Sequence, residues 1–346
     1  MQRKLASVQR VLEIHPIEGA DFVDLARING WQCVVKKGRF RPGDHGVYFE
    51  IDAIPPDLPA FRFLWAKDSP DGSRPARYRI RSMKLRGCLS QGLLLPLDEL
   101  GVPAGSPDGT DVTAQLGVDK YEPPPPTNMG DARGPFPPIA PKTDEERVQS
   151  APEVLAELAG RPYVITLKCD GTSATFGWSP LDGSFHACGR NFSIVEGDNV
   201  YWQMARKYDL PGKLAGLAAS GRRVTLQAEI VGPGIQKNRL ALKGHELRVF
   251  SAWDPASARY LDDPATRELC ATLDVPVVPI VESGERFAHG LESLLALAER
   301  KYPGTQNEAE GVVIRPRTEM RSAALGGRLS FKAISNRFLL KGGDDD

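Results

Sequence analysis

Lys168 and the three residues after it, Cys169, Asp170 and Gly171, are where this sequence points most directly to chemistry. The run Tyr163-Val164-Ile165-Thr166-Leu167 leads into the lysine and reads as an apolar strand. A lysine at a strand end that faces a pocket loses part of its hydration. Its pKa then falls toward neutrality, and the neutral amine can attack an electrophile. Gly171 allows a ligand to approach the backbone closely, and Asp170 can orient the amine or a metal ion. The same four letters also fit a surface hairpin with a solvated lysine. On the tetrapeptide alone both readings stand.

Further along come Gly189-Arg190-Asn191, a run from Leu226 through Glu229 to Gly232, a run from Leu247 through Phe250 to Trp253, Glu310-Gly311-Val312-Val313-Ile314-Arg315, and Ser330-Phe331-Lys332-Ala333. In order and spacing these resemble the nucleotidyltransferase motifs shared by ATP-dependent DNA ligases, RNA ligases and capping enzymes, over residues 142–340. The resemblance implies that Lys168 takes AMP from ATP as a lysyl-AMP, with Mg2+ or Mn2+ present. Such chemistry needs a nucleophile, cations on the α-phosphate, a metal site and a base-stacking platform. Lys332 fits the α-phosphate clamp, where a point cation stabilises developing charge. Glu310 begins an apolar strand and offers a hard oxygen to the metal or its waters. Glu229 is read as a ligand of the ribose hydroxyls or the metal. Phe250 is read as the adenine platform or, alternatively, as an ordinary core phenylalanine. Arg190 and Asn191 are read as contacts to the ribose or acceptor phosphate. Many family members carry Lys-x-Lys at the last motif, but here Lys332 is followed by Ala333 and Ile334. Either Lys332 acts alone, or a cation such as Arg337 or Lys341 substitutes.

The segment from Pro141 to Gln149 resembles the stretch upstream of the nucleophile in RNA ligases, with Arg147 reaching the triphosphate. Thr143 and Glu146 also fit the capping box of a helix N-terminus. The extra unit precedes the nucleotidyltransferase motifs and little follows them. That order resembles the fifth family of ATP-dependent RNA ligases, the Deinococcus radiodurans type, in which an OB-fold module comes first. Membership implies sealing of a 3′-OH RNA end to a 5′-phosphate strand in a nicked duplex. The rival expectations are a capping-type guanylyltransferase and a nucleic-acid-binding protein with a decayed transferase core.

The elements that must position these residues fall on two sides of a proline-rich stretch. Residues 122–141 hold eight prolines, which lock φ and remove backbone donors, so neither helix nor sheet is expected there. Before it, strand-like runs at residues 5–14, 22–28, 32–36 and 46–51 alternate with turn signals and suggest a small barrel. After it, strands are expected at 162–167, 223–230, 248–252 and 311–314, with helices at 151–159, 199–208 and 291–301. The expectation is an α+β chain. An N-terminal OB-fold β-barrel over 1–120 would bind nucleic acid, and a Pro-rich linker would span 121–141. An antiparallel-sheet nucleotidyltransferase (adenylyltransferase) domain would occupy 142–341, with a tail at 342–346.

Charge supports a nucleic-acid partner locally but not globally. The chain has 346 residues with 44 basic and 44 acidic side chains, so its net charge is zero. Between residues 74 and 86, however, stand Arg74, Arg77, Arg79, Arg81, Lys84 and Arg86 with no acid among them. Lys36, Lys37, Arg39 and Arg41 lie beside Trp31 and Phe40. Basic strands with aromatic platforms suit phosphate contact and base stacking; a merely solvated basic face is the alternative. The five cysteines are scattered without a CxxC pair, so neither a zinc site nor a disulfide framework is expected. No apolar run is long enough to span a bilayer, and a cytoplasmic location follows by default.

Overall fold

The computed structural model describes residues 3–342 except Asp68, Pro70, Arg77 and residues 123–130. Arg77, the four-proline run and the last four residues of the expected tail thus lie outside the described residues. The chain divides into two compact units. One runs to Pro123 and takes in the C-terminal residues from Leu339; the other runs from Pro124 to Phe338.

The first unit is built from β1 (Ala6–Arg10), β2 (Glu13–Pro16), β3 (Val23–Ile28), β4 (Trp31–Lys36), β5 (His45–Phe49), β6 (Ala53–Ile54), β7 (Met83–Leu85), β8 (Cys88–Ser90) and β9 (Leu93–Pro96). Helix α1 (Thr113–Leu116) and β10 (Asp119–Lys120) follow. The strands pair as β1-β5-β9, β2-β3-β4, β7-β8 and β6-β10. The single strand expected over 5–14 is two. Between them Val11 N bonds Asp44 O while Leu12 N bonds Arg27 O, so the chain passes from one sheet to the next at that point. Alternation along β4 buries Trp31, Cys33 and Val35 on one face, where they pack with Phe40 and Tyr48.

In the second unit the chain runs through β11 (Ala132–Pro135), β12 (Glu146–Arg147), α2 (Val154–Leu158), β13 (Tyr163–Lys168), β14 (Thr172–Trp178), β15 (Phe185–Cys188), β16 (Phe192–Ile194), α3 (Val200–Lys207), α4 (Leu210–Ala219) and β17 (Thr225–Val231). It continues through β18 (Glu246–Asp254), β19 (Arg259–Tyr260), α5 (Asp263–Thr272), β20 (Ile280–Gly284), α6 (Leu291–Ala298), β21 (Gly311–Pro316), β22 (Arg321–Ser322), β23 (Gly327–Arg328), β24 (Phe331–Ile334) and α7 (Asn336–Leu340), whose last two residues fall in the first unit. Seven strands form one sheet in the order β11-β16-β15-β14-β17-β18-β19, and five form another, β12-β24-β21-β13-β20. Ala174, Leu226, Ala228, Ile230 and Val249 of the larger sheet pack with Trp202, Leu214 and Leu269 of α3, α4 and α5. Ile165, Val312, Ile314 and Phe331 of the smaller sheet pack with Val154 of α2 and Leu294 of α6.

Three expectations need correction. Ala132–Pro135, inside the expected linker, is a strand paired with β16 across a register shift. Its proline is tolerated because β11 is an edge strand of its sheet. Thr143 and Glu146 do not cap a helix: Glu146 and Arg147 pair in parallel with Phe331 and Lys332, and the expected helix starts later, at Val154. Helices α4 and α5 were not expected, because each carries a proline in its first turn. That position lacks an intrahelical N–H bond anyway, so proline opens a helix there instead of ending one.

Candidate active site

The turn after Lys168 carries the chain from the smaller sheet to the larger one. Lys168 closes β13 opposite Gly311 of β21. Thr172 then opens β14, where Ser173 lies opposite Glu229 of β17. Two close approaches here demand glycine. A Cβ on Gly171 would sit 2.4 Å from the Ile230 carbonyl oxygen and 2.7 Å from Glu229 Cγ; one on Gly311 would meet the Ala333 carbonyl at 2.1 Å. The tight approach at Gly171 brings Glu229 to the Lys168 turn.

Alternation then selects the polar faces. Tyr163 and Ile165 of β13 enter the apolar core, so Thr166 and Lys168 point the other way. Lys332 is the cross-strand partner of Val313, itself opposite Thr166, and Arg147 is the partner of Lys332. Lys168, Lys332 and Arg147 therefore share one face. On the larger sheet Ala228 and Ile230 are core residues, leaving Gln227 and Glu229 on the opposite face. The two polar faces meet: Arg315 of β21 donates through Nη1 to the Phe250 carbonyl of β18 at 2.7 Å.

Phe250 owes its position to an irregularity. Gln227 pairs with Ser251 and Ala228 with Val249, so Phe250 is the extra residue of a β-bulge. A bulge re-aims a side chain out of the regular alternation. The ring stays half-buried, close to Cys169, Val231 and Val278, with the Arg315 guanidinium 5.8 Å from its centroid.

Lys168 Nζ lies 2.5 Å from Glu310 Oε1, and their side chains are 18% and 7% exposed. Removing both from bulk water strengthens their attraction. Tyr302, fully buried, ties this turn together with one hydroxyl. It accepts from Asp170 N at 2.8 Å and Glu310 N at 3.3 Å and donates to the Lys168 carbonyl at 3.1 Å. Burial, then the nearby Cys169 and Glu310, pushes its pKa well above the usual phenol value, so it stays a neutral donor. Asp170 meets Arg239 Nε at 3.2 Å, and that guanidinium lies over the Phe338 ring at 4.5 Å. The thiol beside Lys168 is inert: burial, then Glu229, pushes Cys169 up to about 12.

Behind Lys332, Arg315 is held by Ser330 Oγ at 2.9 Å and Glu145 Oε1 at 2.8 Å. Burial alone would raise the Glu145 pKa, but the charge and hydrogen bond of Arg315, with Arg328 and Lys332 further out, bring it down to about 2.

An OB-fold domain profile matches residues 5–97, and an RNA ligase profile matches residues 161–334. The chain is 36% identical to a lysine-to-alanine mutant of the Naegleria gruberi RNA ligase solved with ATP and Mn, at a TM-score of 0.77, over 99% of this chain and 100% of that one. The same organism's RNA ligase with PPi is 37% identical at a TM-score of 0.75, over 99% and 100% of the two chains. No curated protein matches.

The chain belongs to the ATP-dependent RNA ligase family.

The match runs the length of the chain and places this RNA ligase with the fifth-family type that the motif order indicates. The structure gathers Asp170, Glu229, Glu310 and Phe250 about the Lys168 turn and sets Lys332 and Arg147 on the same sheet face as Lys168. Arg190 is exposed and paired with Asp144, and Asn191 accepts from Lys142 at 3.0 Å. Arg337, a substitute considered for the second lysine of the last motif, pairs with Glu299 at 3.7 Å; Lys341, the other, follows the end of α7 at Leu340. The position itself holds Ile334, buried opposite Gly311. Tyr302 and Arg239 carry no signal in the sequence because both lie in loops, where no periodicity marks an inward side chain.

On the OB-fold unit Lys36, Lys37, Arg81, Lys84 and Arg86 are exposed. Arg79 is not free for phosphate: it pairs with Asp52 and covers the Tyr121 ring at 4.6 Å. Trp31 and Phe40, expected as stacking platforms, are 2% and 6% exposed and serve as core. The aromatic beside Lys36 and Lys37 that does face solvent is Phe22, 80% exposed, whose carbonyl accepts from Lys37 N.

Proposed function

We propose that this RNA ligase works through a lysyl-AMP on Lys168 and joins 3′-OH RNA ends to 5′-phosphate strands at nicks in duplex. The observation that carries the reading is the desolvated Lys168–Glu310 pair at 2.5 Å, set where two polar sheet faces meet. In the first step a bond forms between Lys168 Nζ and the α-phosphorus of ATP while the bond to pyrophosphate breaks. Glu310 holds the amine in place, and Lys332 and Arg147 supply fixed positive charge on the same face. A 5′-phosphate oxygen then displaces Lys168 from the AMP phosphorus. Finally the 3′-OH attacks the activated 5′-phosphate and AMP leaves. Positioning and electrostatics do most of this, as in other phosphoryl transfers.

The residues present suit both ATP and a divalent ion. Gln227 is buried and donates through Nε2 to the Pro141 carbonyl at 2.7 Å, while its Oε1 is buried without a hydrogen-bond partner. This orphaned acceptor, one cross-strand step from the Phe250 bulge, suits the exocyclic amino group of adenine and not the carbonyl of guanine. For the metal, Glu310 and Glu229 are the residues that would hold it or its waters. No cluster of three or more His, Cys, Asp or Glu poised for a metal occurs among the described residues. Mg2+ or Mn2+ keeps most of its waters and takes one or two carboxylates. Such an ion would neutralise phosphate charge and favour the unprotonated amine.

The test is incubation with α-labelled ATP and Mn2+. A labelled protein is expected, with no label on Lys168→Ala; label persisting on that variant overturns the assignment. Labelling by GTP in preference to ATP would select a guanylyltransferase instead. Four nicked duplexes, with RNA or DNA on each side of the nick, then read the end specificity, and RNA is expected to be required at the 3′-OH.

A further inference from the structure

A cavity of about 710 Å³ opens between the β18–β19 edge of the larger sheet and the β22–β23 ribbon before β24. It does not include Lys168, Glu229, Phe250 or Glu310. Trp253 in its wall is the cross-strand partner of Thr225, four residues along β17 from Glu229, or roughly 13 Å. Its size lies inside the range of roughly 300–1,000 Å³ typical of small-molecule sites.

One wall is aromatic. Trp253 and Tyr260 are direct cross-strand partners, with ring centroids 4.9 Å apart at 70°, and Trp253 is half-exposed. The Arg328 guanidinium covers Tyr260 at 4.0 Å. Arg328 is fully engaged, donating from Nε to both Glu319 oxygens at 3.1 and 2.9 Å and from Nη1 to Ser251 Oγ at 2.7 Å. Arg321 lies directly opposite it across the ribbon. Like charges in that arrangement are destabilising, and Glu319 compensates only one of the two. Arg321 and Arg259 are both exposed in the cavity wall. Neither makes an ion pair or a side-chain hydrogen bond among the described residues. Of the four acids in the wall, Asp144, Glu145, Glu146 and Glu319, three pair elsewhere: Asp144 with Arg190, Glu145 with Arg315 and Glu319 with Arg328.

We propose that this cavity is a second nucleotide site, where a planar base rests against Trp253 and Tyr260 and its phosphate meets Arg259 and Arg321. The stacking face and two uncompensated guanidiniums at the rim match an aromatic base that carries an anion. Base stacking of this kind tolerates any base. The site shares a wall with the adenylyl pocket, because Glu145 and Ser330 line the cavity and also hold Arg315. The occupant is either a free mononucleotide or one unit of an RNA strand. The proposal does not rest on lysyl-AMP chemistry, since its tests read binding.

The test is photo-crosslinking of the full chain with 4-thiouridine 5′-monophosphate or with a short single-stranded oligoribonucleotide carrying one 4-thiouridine. No competing nucleotide is added, because the position of the crosslink in the chain separates this site from the Lys168 pocket. A crosslink within residues 253–260 is expected from at least one probe. The mononucleotide arm identifies a free nucleotide, and a crosslink from the oligonucleotide alone identifies the RNA strand. The double variant Arg259→Ala/Arg321→Ala should weaken that probe at least about tenfold. Labelling of Lys168 by ATP should be unchanged. Both side chains are exposed, so the fold should survive, and an unaltered melting temperature checks that. Absence of the crosslink in the unaltered chain, or binding by the double variant within about twofold of it, overturns the site.

Discussion

In the cleft of the second unit Lys168, Arg239 and Arg315 each meet a carboxylate, at 2.5, 3.2 and 2.8 Å. On the OB-fold unit Lys36, Lys37, Arg81, Lys84 and Arg86 stand exposed. Basic residues of the same kind are thus used in opposite ways. Buried pairs repay their desolvation only through close, fixed geometry, and losing one partner strands the other. That is what a site needs if its charges are to be in place before phosphate arrives. Exposed charges cost little to keep, act nearly independently and are screened by salt, which suits a surface that slides over a phosphate backbone.

The largest effects should come from breaking the buried pairs. Lys168→Met should lower ATP labelling by at least about 1,000-fold; substantial residual labelling would place the nucleophile elsewhere. Arg315→Met should cost roughly 3–5 kcal/mol in urea unfolding, because it leaves the largely buried Glu145 without its paired charge. Pairing that change with Glu145→Gln should recover part of the loss. If the double variant is no better than the single, the pair is not what Arg315 serves.

Glu145 also gives the cleft a pH signature. Its folded pKa is depressed from 4.5 to about 2. A depressed acid contributes stability that is fully present above its unfolded pKa and is lost as pH falls through its folded one. Stability should therefore drop between about pH 4.5 and 2, and Glu145→Gln should flatten that part of the curve by close to one proton. An unchanged slope in a urea titration series would show that another acid dominates.

A smaller effect is expected at Tyr302→Phe, which keeps the ring and removes one hydroxyl. The Asp170 and Glu310 amides then lose their acceptor, a cost of about 1–3 kcal/mol. The labelling rate should fall about 10- to 100-fold, with the KM for ATP changing less, since Tyr302 positions the turn without touching the nucleotide. A change in KM alone would argue for a binding role.

Which of these residues are legible in the sequence follows from how each is held. Lys168 and Glu310 stand at the ends of continuous apolar runs, Tyr163–Lys168 and Gly311–Pro316, and such runs are readable in one dimension. Their pairing across β13 and β21 is a matter of register, which no run of letters displays. Phe250 reaches its place through a bulge, and Tyr302 and Arg239 through loops. The burial of Trp31, by contrast, is written in its strand. Trp31, Cys33 and Val35 alternate with Gln32 and Val34 along β4, and that pattern already sets the indole on the apolar face. Helices α4 and α5 are obscured by Pro211 and Pro264 in their first turns.

The smallest and most additive effects belong to the OB-fold surface, where they put the contrast between the two regions to its sharpest test. The hairpin of β7 and β8 turns through Arg86 and Gly87, both at positive φ (49° and 83°). That turn type matches the strand twist and carries Arg86 exposed at the tip. Arg81→Gln, Lys84→Gln and Arg86→Gln should each lower RNA affinity modestly. Each cation removed from a phosphate should reduce the slope of log K against log salt by about 0.7–0.9. Phe22→Ala should weaken binding by about 1–3 kcal/mol for any base sequence, with little change in the salt slope. Arg79→Gln, by contrast, should leave the slope alone and lower thermal stability, because its charge is already committed to Asp52. ATP labelling of Lys168 should be unaffected by the three exposed-cation variants. If Arg79 shifts the salt slope as much as Arg86 does, burial is not what separates structural cations from phosphate-binding ones in this unit.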